Sequence, residues 1–334
     1  MRLRVEFISS AVHDEPAAPG VDQVIAMLER AIKSYGARRA VVAFSGGVDS
    51  TVVAALAARV MGPGVVTAVT AVSPSYPDGE LEAAREVASS LGVEYRTVQT
   101  HEVEREAYAR NDAMRCFHCK TELYANLARL LSEQAGAGAV LLAGANADDA
   151  RDFRPGLKAA RQRGVRNPLL EAGVGKSPVR AIARRLRLAV ADKPALACLS
   201  SRVAYGIRIT PNLLARIDRA EQAVRSLGFG LVRVRHLGET ASIEVAIEDI
   251  ARLRTHPRLG NLVGELRRLG WDEIVVDAEG YRTGSLNVLI QRQGSARPGG
   301  DLPLGQPAGP PLLSRSCEQG DWERSKDLCQ HEHA

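Results

Sequence analysis

Aromatic side chains are scarce in this chain of 334 residues, with Phe, Trp and Tyr together making up 4% of it. Proteins that bind single-stranded nucleic acid by base stacking need such rings in number, so composition disfavours that class. Long apolar runs are missing as well: no stretch approaches the roughly 18 residues from which a membrane helix is read. Met1-Arg2-Leu3-Arg4 is not followed by the apolar core of a signal peptide. A cytoplasmic protein without membrane contact is expected. The five cysteines, an odd number in a chain of this size, do not form a disulfide framework. Charge of one sign is also not concentrated; the net charge is +5 with acids and bases interspersed. That balance permits an anionic small-molecule substrate and argues against a nucleic-acid partner. Finally, the chain has no Walker A loop. Its Gly175-Lys176-Ser177 carries Leu170 where the first glycine should stand, and reads as the start of a helix.

What is present is an α/β rhythm. The length favours two domains and is ample for a stable core. After an entry segment over residues 1–20, Val21, Val24, Ile25, Leu28 and Ile32 recur at helical spacing. Ala40 to Phe44 reads as a strand buried on both faces, followed by a helix from near Thr51. Val65 to Val72 is a second buried strand, and Asp78 is expected to cap a helix to Leu91. Glu94 to Val98 and Ala139 to Ala143 are further strands. Alternation of this kind predicts a doubly wound parallel sheet over residues 21–192. A smaller α+β domain is expected over 193–290. There Thr210 and Pro211 open a helix to Leu227, Leu231 to Leu237 and Ser242 to Ile247 are strands, Glu248 to Leu269 is helical in pieces, and Glu273 to Asp277 is a last strand. Residues 291–334, rich in Gly, Pro and Ser, are expected to be a disordered tail. Its Cys317, Cys329, His331 and His333 match no compact metal-site spacing.

The chemistry starts in the turn Ser45-Gly46-Gly47-Val48-Asp49-Ser50, which lies between the first strand and its helix. Glycines there can take positive φ and let amides approach a ligand, while the helix points its positive end at the same spot. An anion fits this arrangement; the plain alternative is a capped helix with no ligand. The hexamer resembles the pyrophosphate loop of the N-type ATP pyrophosphatases, which are adenine nucleotide alpha hydrolase-like in fold and split ATP between its α- and β-phosphates. That resemblance implies that Ser45, Gly46, Gly47 and Ser50 hold pyrophosphate and that Asp49 organises Mg²⁺ or the loop. Ligands of open α/β sheets sit at the carboxyl ends of strands. The Gly144-Ala145-Asn146-Ala147-Asp148-Asp149 turn should therefore face the same crevice, with Asp148 and Asp149 either contacting ATP or Mg²⁺ or serving as an Asx turn and helix cap.

Cys116-Phe117-His118-Cys119 is a C-x-x-C, and Cys198 precedes Ser200-Ser201-Arg202. Such a pair can be redox-active, half a zinc site or two small buried side chains. With the third cysteine, three thiolates on one iron–sulfur cluster would leave an iron free to carry an exogenous sulfur. A single working cysteine is the other reading. Arg233 and Arg235 alternate on a predicted strand and so share a face, which suits phosphate or carboxylate, or else is a solvated face paired with Glu244.

Taken with Arg115, Lys120, Arg154-Pro155-Gly156, Lys193-Pro194, Ile243-Glu244-Val245 and Gly280 to Asn287, these motifs resemble the LarE-type ATP-dependent sulfur transferases. Those enzymes make the pyridinium-3,5-bisthiocarboxylic acid mononucleotide of the nickel-pincer cofactor of lactate racemase. The resemblance implies ATP, Mg²⁺ and, because all three cysteines are present, a 4Fe–4S cluster on Cys116, Cys119 and Cys198; in the other branch of the family the cysteine near the position of Cys198 gives up its own sulfur. It further implies Asp49, Cys198 and Glu244 as catalytic residues and Ser45, Gly46, Gly47, Asp49, Ser50 and Asp148 around ATP. Ser201, Glu221, Arg233 and Arg235 would bind a small nucleotide substrate, with Arg115 and Lys120 also able to meet phosphate, a sulfide or sulfur donor as partner, and a homo-oligomer as the assembly. Two other readings stand beside it: an iron–sulfur-dependent tRNA thiolase and a non-catalytic adenine-nucleotide or redox sensor.

Overall fold

The computed structural model describes residues 20–135, 138–150, 154–195 and 197–282. The tail with Cys317 and Cys329, Thr283 to Asn287 and nearly all of the entry segment lie outside the described residues. The chain forms two compact units, one of residues up to Ala109 with Met114–Ala197, the other of Arg110–Ala113 with the chain from Cys198 onward.

The first unit runs α1 (Val21–Ser34), β1 (Arg39–Ala43), α2 (Val48–Met61), β2 (Val66–Val72), α3 (Glu80–Ser90), β3 (Glu94–Gln99), α4 (Glu106–Ala109), α5 (Arg115–Ala135), β4 (Ala139–Leu142), α6 (Pro155–Gln162), α7 (Pro168–Glu171) and α8 (Lys176–Arg185). The four strands form one parallel sheet in the order β3-β2-β1-β4. Alternate strand residues feed opposite cores, as the pleat requires. Ala40, Val42, Val66 and Ala68 pack with α1, α2 and α8 through Leu28, Leu56 and Ile182. Val41, Val69 and Leu141 pack with α5 and α6 through Leu127, Ala159 and Ala160. Covering on both faces explains why β1, β2 and β4 are rich in Val, Ala and Leu, while β3 at the edge of the sheet is largely exposed. This is the expected doubly wound sheet.

Local corrections have local causes. The helix after the first strand starts at Val48, because Gly47 is extended and acts as its N-cap. The cap of α3 is Gly79 in the left-handed region, at φ +82°, instead of Asp78. Glycine reaches that conformation without a Cβ clash.

The second unit contains α9 (Pro211–Arg225), β5 (Val232–Leu237), β6 (Thr240–Val245), α10 (Ile250–Arg254), α11 (Leu259–Arg268) and β7 (Glu273–Val276). Thr210 caps α9 by accepting from Leu213 N at 3.2 Å, with Pro211 as the first helical residue. β5 and β6 are antiparallel, and β7 joins β6 in parallel. The strand placed at Ser242 to Ile247 is in fact Thr240–Val245. Gly238 at φ +85° makes a two-residue hairpin turn with Glu239, which fixes the register earlier in the chain, and Ile247 emerges on the surface. Asn111 is fully buried and donates its amide to Ala204 O and Ile207 O at 2.8 and 3.0 Å, which ties Arg110–Ala113 into this unit. Among the described residues no helix is long and apolar enough to cross a membrane.

On the apolar face of the small sheet, Trp271 Nε1 donates to His236 Nδ1 at 2.9 Å, and the Arg216 guanidinium stacks 3.8 Å from the Trp271 ring. Burial, reinforced by the Arg216 charge, pushes the His236 pKa down from 6.5 to about 4. The unfolded chain therefore binds more protons between those values, and stability rises with pH across that window. Replacing His236 with Gln should flatten the slope of unfolding free energy between pH 6.5 and 4 relative to the parent, measured by denaturant titration at each pH.

Candidate functional site

The loop after β1 is closed on itself by hydroxyls. Ser50 Oγ and Thr51 Oγ1 donate to Gly47 O at 3.1 and 2.8 Å. Ser45 Oγ lies 3.2 Å from Ser50 Oγ and accepts from Gly47 N at 3.3 Å. Gly46 sits at φ +67°, and a Cβ there would stand 2.9 Å from Ala84 Cβ, so the loop rests directly on α3. Asp49 and Ser50 occupy the first turn of α2, whose leading amides have no partner four residues back and whose dipole favours an anion.

The order of the sheet reverses between β1 and β4, so the loops that follow these two strands adjoin. Asn146, 1% exposed, donates Nδ2 to Asp49 Oδ1 at 2.9 Å. A Cβ on Gly144 would lie 2.7 Å from Ser50 N, an approach that only glycine allows. Burial raises the Asp49 carboxyl pKa above its ordinary value, offset in part by the Asn146 bond. Asp148 Oδ2 accepts from Lys176 N at 2.7 Å at the start of α8, and Asp149 Oδ2 accepts from Asn146 N at 3.2 Å while pairing with Arg154 at 3.1 Å. These are capping and turn contacts at the carboxyl end of β4. The β4 turn thus reaches the loop through Gly144 and Asn146, whose roles the sequence reading did not assign.

Lys193, beyond Gly144 and Asn146, is a third motif residue whose place emerges only in the fold. Its Nζ donates to Glu80 Oε2 at 2.7 Å and lies 3.5 Å from Gly46 O. Arg180 holds the adjoining backbone, donating to Ala191 O and Lys193 O at 2.6 and 2.9 Å.

In the second unit, Arg233 and Arg235 share a face with Glu244 and Ser242, as strand alternation predicts. That face is not solvated. Arg233 and Arg235 are each 7% exposed and Glu244 is 2% exposed. Arg235 makes a bidentate pair with Glu244 at 3.0 and 2.8 Å and donates to Ser201 O at 2.8 Å. Glu221, fully buried, accepts from Arg202 at 2.9 and 3.3 Å, from Arg225 at 2.6 Å and from Val234 N at 3.2 Å. Arg202 also donates to Ser201 Oγ and Cys198 O, at 3.0 and 2.8 Å, which joins the two ion pairs and places Cys198 at their edge. Burial raises the Glu221 pKa, but the charges of Arg202, Arg233 and Arg225 outweigh it and hold the carboxyl below its ordinary value. Arg233 is shifted down, first by burial and then by the Arg202 charge. Arg202, Arg233 and Arg235 are buried around Glu221 and Glu244, with Arg225 reaching Glu221 from a half-buried position, and guanidinium forks gathered in this way are a setting for an anion. Arg202 and Arg225 were not assigned from sequence; the spacing of Glu221 to Arg225, one helical turn, was the available signal.

Cys116 is exposed and Cys119 half-buried in the first turns of α5, while half-buried Cys198 opens the second unit. Soft thiolates three residues apart on a helix suit iron or zinc in donor chemistry. Among the described residues no group of three or more His, Cys, Asp or Glu side chains is assembled to hold a metal ion.

Comparison with known proteins gives these features a family. The model of the NAD synthase family matches residues 20–127. An uncharacterized protein of Synechocystis sp. is 43% identical over 254 residues, spanning 76% of this chain and 94% of that protein. The pyridinium-3,5-bisthiocarboxylic acid mononucleotide synthase of Lactiplantibacillus plantarum is 34% identical over 255 residues, 76% of this chain and 91% of that one. An NH(3)-dependent NAD(+) synthetase of Pyrobaculum aerophilum is 39% identical over 75 residues, 22% of this chain and 28% of its own.

Two substitutions test the geometry. Gly144→Ala should cost about 1–3 kcal/mol of stability by overpacking against α2, and should weaken ATP binding, read by thermal melting and by calorimetry. Glu221→Ala leaves buried arginines uncompensated and should cost about 3–5 kcal/mol in denaturant unfolding.

Proposed function

The chain belongs to the LarE-type family of ATP-using PP-loop enzymes, and on that premise we propose that it is an ATP-dependent sulfur transferase acting on pyridinium-3,5-dicarboxylate mononucleotide in nickel-pincer cofactor biosynthesis. The observation that carries the reading is the network of buried Arg202, Arg233, Arg235, Glu221 and Glu244, joined by half-buried Arg225, with Cys198 on its edge. Guanidinium forks in excess over carboxylates suit the phosphate and carboxylates of such a substrate. Arg233 and Arg235, with Ser201 and Glu221, bind it, and Glu244 orients Arg235 beside it.

In the first step a substrate carboxylate oxygen attacks the α-phosphorus of MgATP, and pyrophosphate departs into the loop of Ser45, Gly46, Gly47 and Ser50. Asp49, held by Asn146, orders the metal side of the nucleotide. A carboxylate is a poor acyl donor, and the acyl-adenylate divides one hard substitution into two easier ones. Each preorganised donor at the departing charge is typically worth about 10² to 10³ in rate. In the second step a sulfur nucleophile attacks the acyl carbon, a C–S bond forms, the C–O bond to phosphate breaks and AMP leaves. Cys198, next to the anion network, is where that sulfur is delivered. A 4Fe–4S cluster held by Cys116, Cys119 and Cys198 would supply a transferable sulfide at that point. The reaction fits a cytoplasmic homo-oligomer drawing on a sulfide or sulfur donor.

Asp49→Ala is expected to abolish AMP and pyrophosphate formation while leaving the melting temperature near that of the parent. Alanine variants of Cys116, Cys119 and Cys198 should each form adenylate but little thiocarboxylate, with iron and sulfide content lost in all three after anaerobic purification. Intact mass after turnover decides the sulfur source: dehydroalanine at position 198 would overturn cluster-borne sulfur and make Cys198 itself the donor. Failure to release pyrophosphate from ATP with any pyridinium carboxylate would overturn the reaction as a whole.

A further inference from the structure

We propose that a groove beside Tyr281 in the second unit takes the substrate's pyridinium ring, with the Tyr281 ring and the Glu248 carboxylate recognising its positive charge. This deepens the sulfur transferase reading above and rests on it. The buried arginines suit the anionic ends of such a nucleotide, its phosphate and carboxylates, and leave its cationic ring without a place. A flat organic cation calls for an aromatic face, apolar walls and a carboxylate. Those features occur together in one groove of about 640 Å³, whose lining includes Leu231, Ala246, Ile247, Glu248, Glu279 and Tyr281.

Tyr281 is fixed where this groove meets the arginine network. Its backbone N–H donates to Val245 O at 2.8 Å, on the residue that follows Glu244. Gly280 approaches the same carbonyl so closely that a Cβ would stand 2.9 Å from it, and its φ of +64° is left-handed, a conformation glycine adopts without strain. That turn brings the Tyr281 ring to 5.4 Å from Cζ of Arg233, the guanidinium paired in register with Glu244. One side chain therefore belongs to both places: it partners Arg233 and it lines the groove.

The groove's charge is opposite in sign to that of the network beside it. Of its two carboxylates, Glu279 is engaged by Arg282, which also pairs with Asp277 at 3.4 Å. Glu248 is exposed and makes no ion pair among the described residues. Its neighbour Ile247 is 69% exposed, one of two large apolar side chains so open to water. A planar cation uses both, covering Ile247 with its ring and balancing Glu248 with its charge. A hydrated metal ion would gain nothing from the apolar wall, and an anion would be repelled by Glu248. No bond is made or broken in the groove; it holds the ring while the arginines beside it hold the nucleotide's negative groups.

The test is calorimetric titration of full-length protein with pyridinium-3,5-dicarboxylate mononucleotide and with its dihydropyridine form, made by borohydride reduction, which keeps the phosphate and carboxylates and loses the ring charge. AMP formation is measured on the same preparations. The parent should bind the pyridinium form more tightly than the reduced one. Tyr281→Ala should weaken binding of the pyridinium form about threefold to thirtyfold, the range for a cation–π contact, and Tyr281→Phe should restore it. Glu248→Gln should narrow the preference for the charged ring while binding ribose 5-phosphate, which has no such ring, as the parent does. Equal binding of the two forms by the parent, or an unchanged preference in either Tyr281→Ala or Glu248→Gln, overturns the proposal; if Tyr281→Ala does not fold, the parent's preference and Glu248→Gln still decide. Ile247→Asp that loses the protein's assembly but keeps substrate binding would also overturn it, giving the groove to a second copy of the chain. A parent that makes AMP with the substrate while both variants bind it normally refutes the groove and leaves the sulfur transferase reading intact. A parent that prefers the charged ring through Tyr281 but makes no AMP from any carboxylate does the reverse, and a parent that binds no pyridinium nucleotide overturns both.

Discussion

Everything at the nucleotide loop depends on how closely the end of β4 approaches the first turn of α2. Gly144 leaves no room for a side chain beside Ser50, and Asn146 can therefore reach Asp49 with a hydrogen bond of 2.9 Å. That approach follows from the strand order, since β1 and β4 are neighbours whose following segments turn to different parts of the chain. The loop is then held on three sides: by its own serines, by Ala84 beneath Gly46, and by the β4 turn. A loop fixed in this way presents helix-end amides to an anion without first having to be ordered.

The second unit meets a different constraint. Burying Arg202, Arg233 and Arg235 is costly unless each charge finds a partner; Glu221 takes Arg202 and half-buried Arg225, and Glu244 takes Arg235. Such a network is a poor way to gain stability, because apolar side chains of the same volume would do as well or better. Guanidinium forks gathered on one face suit an anion. Cys198 lies at the edge of this network through its carbonyl, so this cysteine and the residues suited to an anion are parts of one local structure.

Much of the architecture was legible in the order of residues. The continuous apolar runs of Val and Ala, the Thr210-Pro211 start and the Ser45 to Ser50 hexamer each encode a local choice, and each sits where the sequence places it. Errors fell where one glycine outweighed its surroundings. Gly47 moved the start of α2, Gly79 displaced Asp78 as a cap, and Gly238 set the register of β6. A solvated strand face was an open reading for Arg233 and Arg235, because alternation tells which residues share a face and says nothing of what covers it.

Sequence by itself determined the element order, the parallel sheet, the pyrophosphate-type loop and the family, because each is written in short-range periodicity or contiguous motifs. Only the tertiary structure decided that Asn146 answers Asp49, that Asp148 accepts from the start of α8, that Arg202 pairs with buried Glu221, and that Lys193 reaches Gly46. These pairs are separated by as many as 147 residues. No local propensity links side chains that far apart; their meeting is set by strand order and by the close approach that two glycines permit.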